Sequence, residues 1–341
     1  MDRGVVVPEL GRLEVVELEV DEPGAGEVRV RLEATGVCHT DLHVLETGFG
    51  HPLPVLLGHE GAGVVEGVGD GVSLRVGERV VIGWRSPCGA CRWCLRGDER
   101  RCRTPPRAAR RLRSGGEKLF QTLQVGTFAT RTVVHEAAAI PVPPELPVEE
   151  ACLMGCAVAT GVFSVLETAH VWEGARVAVI GCGAVGLSAI QGARIAGASE
   201  IYALDLDERK LEAARRFGAT DTGPGERLDF VFDVVGRPET VAQGLAMLGH
   251  AGTLVYIGLP QPDALTQIAL SPFFDRRTRI LVSHGGDHWP AVDFPQLAKW
   301  ALGGELDLAG MVTRTISLDD VPRALGDLRG GDAIRSVVTS F

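Results

Sequence analysis

Lysine is nearly missing from this chain. Its 341 residues include only Lys118, Lys210 and Lys299, so almost all positive charge is carried by arginine. High genomic GC content explains that bias most simply, and it is no general signature of a hot habitat. Also missing is any apolar run approaching the 18 residues of a membrane-spanning helix. The opening Met1-Asp2-Arg3-Gly4-Val5 lacks the apolar core and small-residue cleavage site of a secretory leader, so a cytoplasmic location is expected. An excess of positive charge is absent too. Net charge is −10, which excludes a general binder of nucleic acid or of anionic membranes. No internal repeat and no low-complexity segment interrupts the chain.

What is present is an ordinary folded composition, 45% hydrophobic and 23% charged. The length suggests two domains, or one domain with a large insertion. Eight cysteines are unevenly placed. Cys88, Cys91, Cys94 and Cys102 form a C-x2-C-x2-C-x7-C ladder, a spacing that lets four thiolates close around one tetrahedral zinc ion. A fully ligated metal has no open position, so this site is read as structural, holding a lobe over about residues 84–118.

Around the ladder the pattern changes along the chain. Val28, Val30 and Leu32 alternate with Arg29, Arg31 and Glu33, a period-two strand, and glycines punctuate residues 58–71. The first 80 residues therefore look all-β. From Arg176 onward, short apolar strands (176–180, 201–204, 230–235, 253–257) alternate with helical stretches starting near Ala184 and Asp207. That alternation predicts a parallel sheet with right-handed crossovers. The segment after about residue 285 returns to the style of the first, so the β/α unit is inserted.

Gly181-Cys-Gly183-Ala-Val-Gly186 follows the first of these strands and opens a helix, with Asp205 at the end of the next strand. G-x-G-x-x-G alone is a weak signal. In this context it predicts a dinucleotide site: Gly181 for the tight turn, Gly183 for approach of pyrophosphate, Gly186 for helix packing. Asp205 would accept hydrogen bonds from ribose and repel a 2′-phosphate, which favours NAD over NADP. Its competing role is to cap the following helix.

Two further fragments carry ligand chemistry, Cys38-His39-Thr40-Asp41-Leu42-His43 and Gly58-His59-Glu60, with a later pair in Cys152-Leu-Met-Gly-Cys156. A catalytic zinc needs three protein ligands and one open position. Cys38, His59 and either Cys152 or Cys156 would supply them, and Asp41 would hydrogen-bond the distal nitrogen of His59.

The ordered series Cys38-His-Thr-Asp, Gly58-His-Glu, four-cysteine lobe, Gly155-Cys156 and G-x-G-x-x-G resembles the zinc-dependent medium-chain alcohol dehydrogenases over the whole chain. Trp84-Arg85, Gly236-Arg-Pro-Glu-Thr240 and Ile334-Arg335-Ser-Val-Val338 point to the class III, thiol-dependent formaldehyde dehydrogenase branch. The resemblance implies an α/β plus β architecture: a GroES-like β-rich catalytic domain (1–157 and 285–341) with an inserted doubly wound Rossmann domain (158–284) binding NAD. It implies two zinc ions per chain, the catalytic one on Cys38, His59 and Cys156, with Glu60 behind the metal. Thr40 and His43 would relay the proton. His39 and Arg335 would meet pyrophosphate, Thr160 and Val185 the nicotinamide, and Lys210, Ile257 and Leu259 would complete the cofactor site. Phe49, Trp84 and Leu259 would line the substrate pocket. Each has a plainer alternative: Thr40 and His43 as helix-start residues, Trp84 as packing, Arg335 as surface, and Cys152 and Cys182 as buried thiols. A homo-oligomer, dimer or tetramer, is implied as well.

Nine arginines lie between Arg92 and Arg113. They read either as a solvated face or as a positive rim suited to a carboxylate-bearing thiol adduct. One departure from the family pattern is the short stretch between Thr220 and Phe230, where Gly223-Pro224-Gly225 argues against a crossover helix. The expected activity is oxidation of an alcohol, or reduction of an aldehyde or ketone, by hydride transfer to or from NAD. The alternatives are a thiol-dependent formaldehyde dehydrogenase or S-nitrosothiol reductase, a non-redox zinc enzyme such as a lyase, and a non-catalytic nucleotide-binding protein on the same scaffold.

Overall fold

A computed structural model describes residues 1–261, 263–330 and 334–341. It divides into two compact units, Met1–Cys156 together with Trp289–Phe341, and Ala157–His288.

In the first unit the strand Glu27–Gly36 is the organising element. Val28, Val30, Leu32 and Ala34 are buried, while Arg29, Arg31 and Glu33 between them stay partly exposed. Burying such a branched side chain contributes about 1.5–3 kcal/mol. This strand pairs antiparallel with Gly61–Val68 on one edge, and with Arg131–His135 and Ser336–Ser340 on the other. The sheet continues through Arg79–Ile82 to Ala139–Pro141 on one side, and to Arg314–Ser317 on the other. A second sheet centres on Asp2–Val7, between Glu14–Val20 and Val55–Leu56. At the end of the organising strand the chain turns at Cys38 into the helix His39–Thr47. There the Asp41 side chain reaches back to the Cys38 N–H, and Gly48 in the left-handed region ends the helix.

The second unit is a six-stranded parallel sheet in the order Asp221–Thr222, Glu200–Leu204, Arg176–Ile180, Leu228–Asp233, Leu248–Tyr256, Arg279–Val282. The helices Ala184–Ile195, Glu208–Phe217 and Pro238–Met247 connect its strands. The order reverses at the first strand, the switch point of doubly wound folds. The third and fourth strands stand three strand spacings apart, on the order of 14 Å. Only residues 223–227 join them, with no helix between Thr222 and Leu228. Six peptide units of about 3.5 Å cover that span. The link lies directly on the sheet: a Cβ at Gly225 would meet the Tyr202 ring at 2.7 Å. Among the described residues no single helix is long and apolar enough to cross a membrane.

Candidate active site

Three segments distant in sequence meet in the first unit. Cys38 caps the helix His39–Thr47. His59 and Glu60 precede the strand Gly61–Val68. Cys156 follows the 3₁₀ turn Cys152–Gly155 in a non-helical conformation. The ligand atoms of Cys38, His59, Glu60 and Cys156 all lie within 4.8 Å of one another, and all four residues are buried. Cys156, and not Cys152, belongs to this group. The chain leaves regular helix between them, so the argument that both share a helix face does not apply. Cys152 is instead fully buried, with its Sγ–H donated to the Glu149 carbonyl at 3.3 Å. Gly155 shows why a small residue precedes the ligand. A Cβ there would meet the Ile82 carbonyl oxygen at 2.8 Å and the Glu60 Cα at 3.4 Å.

Asp41 organises the cluster from a fully buried position. Its carboxylate accepts from Cys38 N (3.1 Å), Gly58 N (3.0 Å) and His59 Nδ1 (3.2 Å). Burial alone would lower the His59 pKa, yet Asp41 and the Cys38 sulfur raise it well above the ordinary value. His59 Nε2 is buried with no hydrogen-bond partner among the described residues, beside two sulfurs. An orphaned imidazole nitrogen facing two thiols fits a zinc ion and is costly without one. Cys38 is pushed well below the usual thiol range by its hydrogen bond with Cys156, against burial, and by Arg335 and His59. Burial pushes Glu60 up to about 7 although Arg335 pulls the other way. Arg335 is not a surface residue. It is buried, its Nη1 donates to the Val37 carbonyl at 2.6 Å, and its Nη2 lies 3.5 Å from Glu60. Sequence reasoning had no means to see this contact, because Val37 follows the strand Glu27–Gly36 and Arg335 precedes the strand Ser336–Ser340, 298 residues away.

Thr40 Oγ1 lies 3.9 Å from Cys38 Sγ, and His43 stands half-buried one helical turn further on. His39 is exposed. Phe49 is exposed, its ring 6.4 Å from that of His43. Trp84 packs partly buried against the core formed by Val28, Val30 and Ile82.

Cys88, Cys91, Cys94 and Cys102 form a second group of sulfurs within 4.8 Å of one another. Short 3₁₀ turns at Cys94–Arg96 and Glu99–Arg101 carry the chain around them. The Thr104 hydroxyl holds the Cys88 thiol down to about 6, whereas burial and neighbouring sulfurs push Cys94 up to about 12. Four sulfurs gathered this closely suit a shared cation. Much of the arginine run that follows is paired locally. Arg100 engages Asp293, Arg101 engages Asp98, Arg111 engages Glu27, and Arg113 engages Glu19 and Asp21.

In the second unit the strand Arg176–Ile180 delivers Gly181 at φ 96°, a left-handed conformation that favours glycine. A Cβ on Gly186 would overlap the Gly181 carbonyl, so the helix Ala184–Ile195 packs directly on the turn. A Cβ on Gly183 would meet nothing within 4 Å. The protein does not itself need glycine there, so the open cradle fits a ligand pressed against the backbone. Asp205 accepts from Cys182 N (2.7 Å) and Asp207 N (3.0 Å), which fixes the carboxylate at the strand end. Asp207, not Asp205, caps the helix Glu208–Phe217. Thr160 is buried, Val185, Lys210 and Ile257 are partly buried, and Leu259 is exposed. Cys182 is buried, and burial pushes its thiol up to about 12.

Comparison with known proteins agrees with this geometry. Residues 24–144 match the alcohol dehydrogenase GroES-like domain, and residues 184–302 match the zinc-binding dehydrogenase model. An S-(hydroxymethyl)glutathione dehydrogenase of Photobacterium damsela subsp. piscicida is 35% identical, with 96% of each chain covered. An alcohol dehydrogenase zinc-binding domain protein from Burkholderia ambifaria superposes with a TM-score of 0.93 at 31% identity, covering 100% of this chain and 99% of that one. The benzyl alcohol dehydrogenase of Acinetobacter calcoaceticus gives 0.91 at 28%, covering all of both chains. With two metal-competent sulfur clusters in a β-rich unit and a glycine cradle in a doubly wound one, the chain belongs to the zinc-binding alcohol dehydrogenase family.

Proposed function

We propose that this chain oxidises an alcohol, or reduces the corresponding aldehyde or ketone, using NAD and a zinc ion held by Cys38, His59 and Cys156. The observation that carries the reading is the buried meeting of those three ligands around an imidazole nitrogen that no group among the described residues satisfies. Two thiolates with one imidazole leave a fourth position for substrate. When bound, zinc supplies Lewis acidity toward the alcohol oxygen and nicotinamide supplies the hydride acceptor. The chain's own residues do the rest. Asp41 keeps the His59 proton on Nδ1, so that Nε2 presents its lone pair. The Thr40 hydroxyl would hydrogen-bond the substrate alcohol, giving up its own proton as it takes the substrate's, and His43 would carry the proton to solvent. Glu60, held by Arg335, balances charge behind the ligands.

Gly181, Gly183 and Gly186, with the helix N-terminus that follows, would take the pyrophosphate, and Asp205 the adenosine ribose. By resemblance, Thr160, Val185, Lys210, Ile257, Leu259, His39 and Arg335 complete the coenzyme assignment. Cys88, Cys91, Cys94 and Cys102 would hold a second, structural zinc. Phe49, Trp84 and Leu259 are assigned to the substrate pocket by resemblance. All eight cysteines are unbridged, which supports a reducing, cytoplasmic setting. A homo-oligomer is supported by the second unit's edge. The strand Arg279–Val282 leaves Ile280 and Val282 exposed, and the helix Leu270–Asp275 buries none of its residues.

A second reading, a substrate formed from formaldehyde and a carboxylate-bearing thiol, is supported by the name of the Photobacterium relative and by Arg103 and Arg107, which remain exposed after the local pairing described above. The test is a panel of alcohols and aldehydes followed by NADH absorbance, with and without a low-molecular-weight thiol, alongside zinc analysis. Turnover with two zinc ions per chain is expected. Protein holding both zinc ions that turns over no alcohol or aldehyde refutes the proposal, and activity on formaldehyde only with thiol selects the second reading.

A further inference from the structure

Arg100 ties the four-cysteine lobe to a distant element. Arg100 lies in the turn Glu99–Arg101, whose closing residue is Cys102. Its guanidinium makes a two-pronged contact with Asp293, Nη1 to Oδ2 at 2.6 Å and Nη2 to Oδ1 at 2.9 Å. Its carbonyl accepts from Arg85 Nη2 at 2.7 Å. The Asp293 side chain is only 4% exposed, and it also accepts from Trp289 N at 2.6 Å. Trp289 is the N-cap of the helix Pro290–Gly303, the first helix of the first unit after the chain returns from the second. That helix rests on the backbone at Gly83, where a Cβ would meet Pro290 at 3.0 Å and Phe294 at 3.2 Å.

We propose that Arg100 couples the metal state of the four-cysteine lobe to the start of the helix Pro290–Gly303. The turn that presents Arg100 ends on a metal-binding thiol, so its conformation depends on that thiol being held. If the turn relaxes, Arg100 withdraws. The nearly buried Asp293 carboxylate then loses its cation and turns toward water, and the Trp289 amide loses its acceptor. A two-pronged arginine–carboxylate pair fixes orientation as well as distance, so the signal passes as a change of geometry rather than of net charge alone. The lobe therefore does more than stabilise itself.

Amide hydrogen exchange on the intact, zinc-loaded protein reads this directly. In Cys94→Ser, with zinc content reduced from two to one per chain, amides of residues 290–303 should exchange about tenfold faster, while those of the helix Ala184–Ile195 stay unchanged. Arg100→Gln, with both zinc ions retained, should produce the same acceleration. The double variant should exchange no faster than Cys94→Ser alone, the non-additivity expected of one connected path. Acceleration confined to residues 84–118, or additive effects in the double variant, overturns the coupling. Should Cys94→Ser fail to fold, the reciprocal measurement decides. Coupling must act in both directions, so Asp293→Asn should weaken the equilibrium affinity for one zinc ion about threefold or more, measured by competition with a colorimetric chelator. Unchanged affinity overturns the proposal.

Discussion

Gly183 and Gly186, three positions apart, make opposite demands, and replacing each by alanine separates packing from ligand binding. At Gly186 the added methyl would fall on the Gly181 carbonyl, well inside the 3.0 Å that Cβ contacts essentially never breach. Its neighbour is backbone, which cannot swing aside. The helix Ala184–Ile195 must therefore lift from the turn, an overpacking cost of roughly 1–3 kcal/mol. For a domain of this size that lowers the melting midpoint by about 2–4 °C per kcal/mol. At Gly183 the methyl meets nothing within 4 Å, and the residue's φ of −76° and ψ of −170° suit alanine. Gly183→Ala should thus melt within about 0.5 kcal/mol of the parent protein. Its methyl would nevertheless stand where pyrophosphate approaches the backbone, so NAD affinity should fall about tenfold or more. Calorimetric melting without coenzyme and titration with NAD give both numbers. Gly183→Ala binding NAD like the parent refutes the cradle, and Gly186→Ala melting like the parent refutes the packing argument.

Two other perturbations probe the first unit. Asp41→Asn keeps one oxygen but turns an NH2 toward at least one of three N–H donors, so one buried donor is left facing another. A loss of about 1–3 kcal/mol and a 10–100-fold weaker zinc site are expected, measured by melting and by chelator competition. Unchanged values in both would show that Asp41 does not hold the ligands. For Glu27, burial pushes the pKa up, but the Ala109 and Gly24 amides and Arg111 hold it, on balance, below the ordinary carboxylate range. A depressed carboxylate stabilises above its unfolded pKa and loses that contribution as pH falls through the folded one. The melting gap between the parent and Glu27→Gln should therefore narrow as pH falls from about 6 to 3.5, and a constant gap refutes the assignment.

Local signals in the sequence carried far. The cysteine ladder, the glycine turn and the period-two strand are each short-range patterns whose geometry follows from spacing, and each corresponds to a site or element of the structure. The lack of a helix between Thr222 and Leu228 was legible from Gly223-Pro224-Gly225 because those residues disfavour helix wherever they occur. The choice of Cys156 over Cys152 came from the family resemblance alone, since spacing cannot show that the chain leaves helical geometry at a single residue. The pairing of Arg335 with Val37 and Glu60, and of Arg100 with Asp293, was hidden for a different reason. A buried arginine and a solvated one look alike until a fold joins positions hundreds of residues apart.

The wide separation of Arg335 from the ligands it backs has a consequence for biosynthesis. Its strand neighbour Ser336–Ser340 pairs with the organising strand Glu27–Gly36, which begins the first unit's sheet. The ribosome delivers His59 and then 275 further residues before Arg335, a wait of roughly 14–55 s at ordinary elongation rates. During that interval Cys38 and, later, Cys156 exist as nascent thiols without the cation that will favour their ionised form. The buried charge balance behind the ligands is thereby completed only after translation of nearly the whole polypeptide.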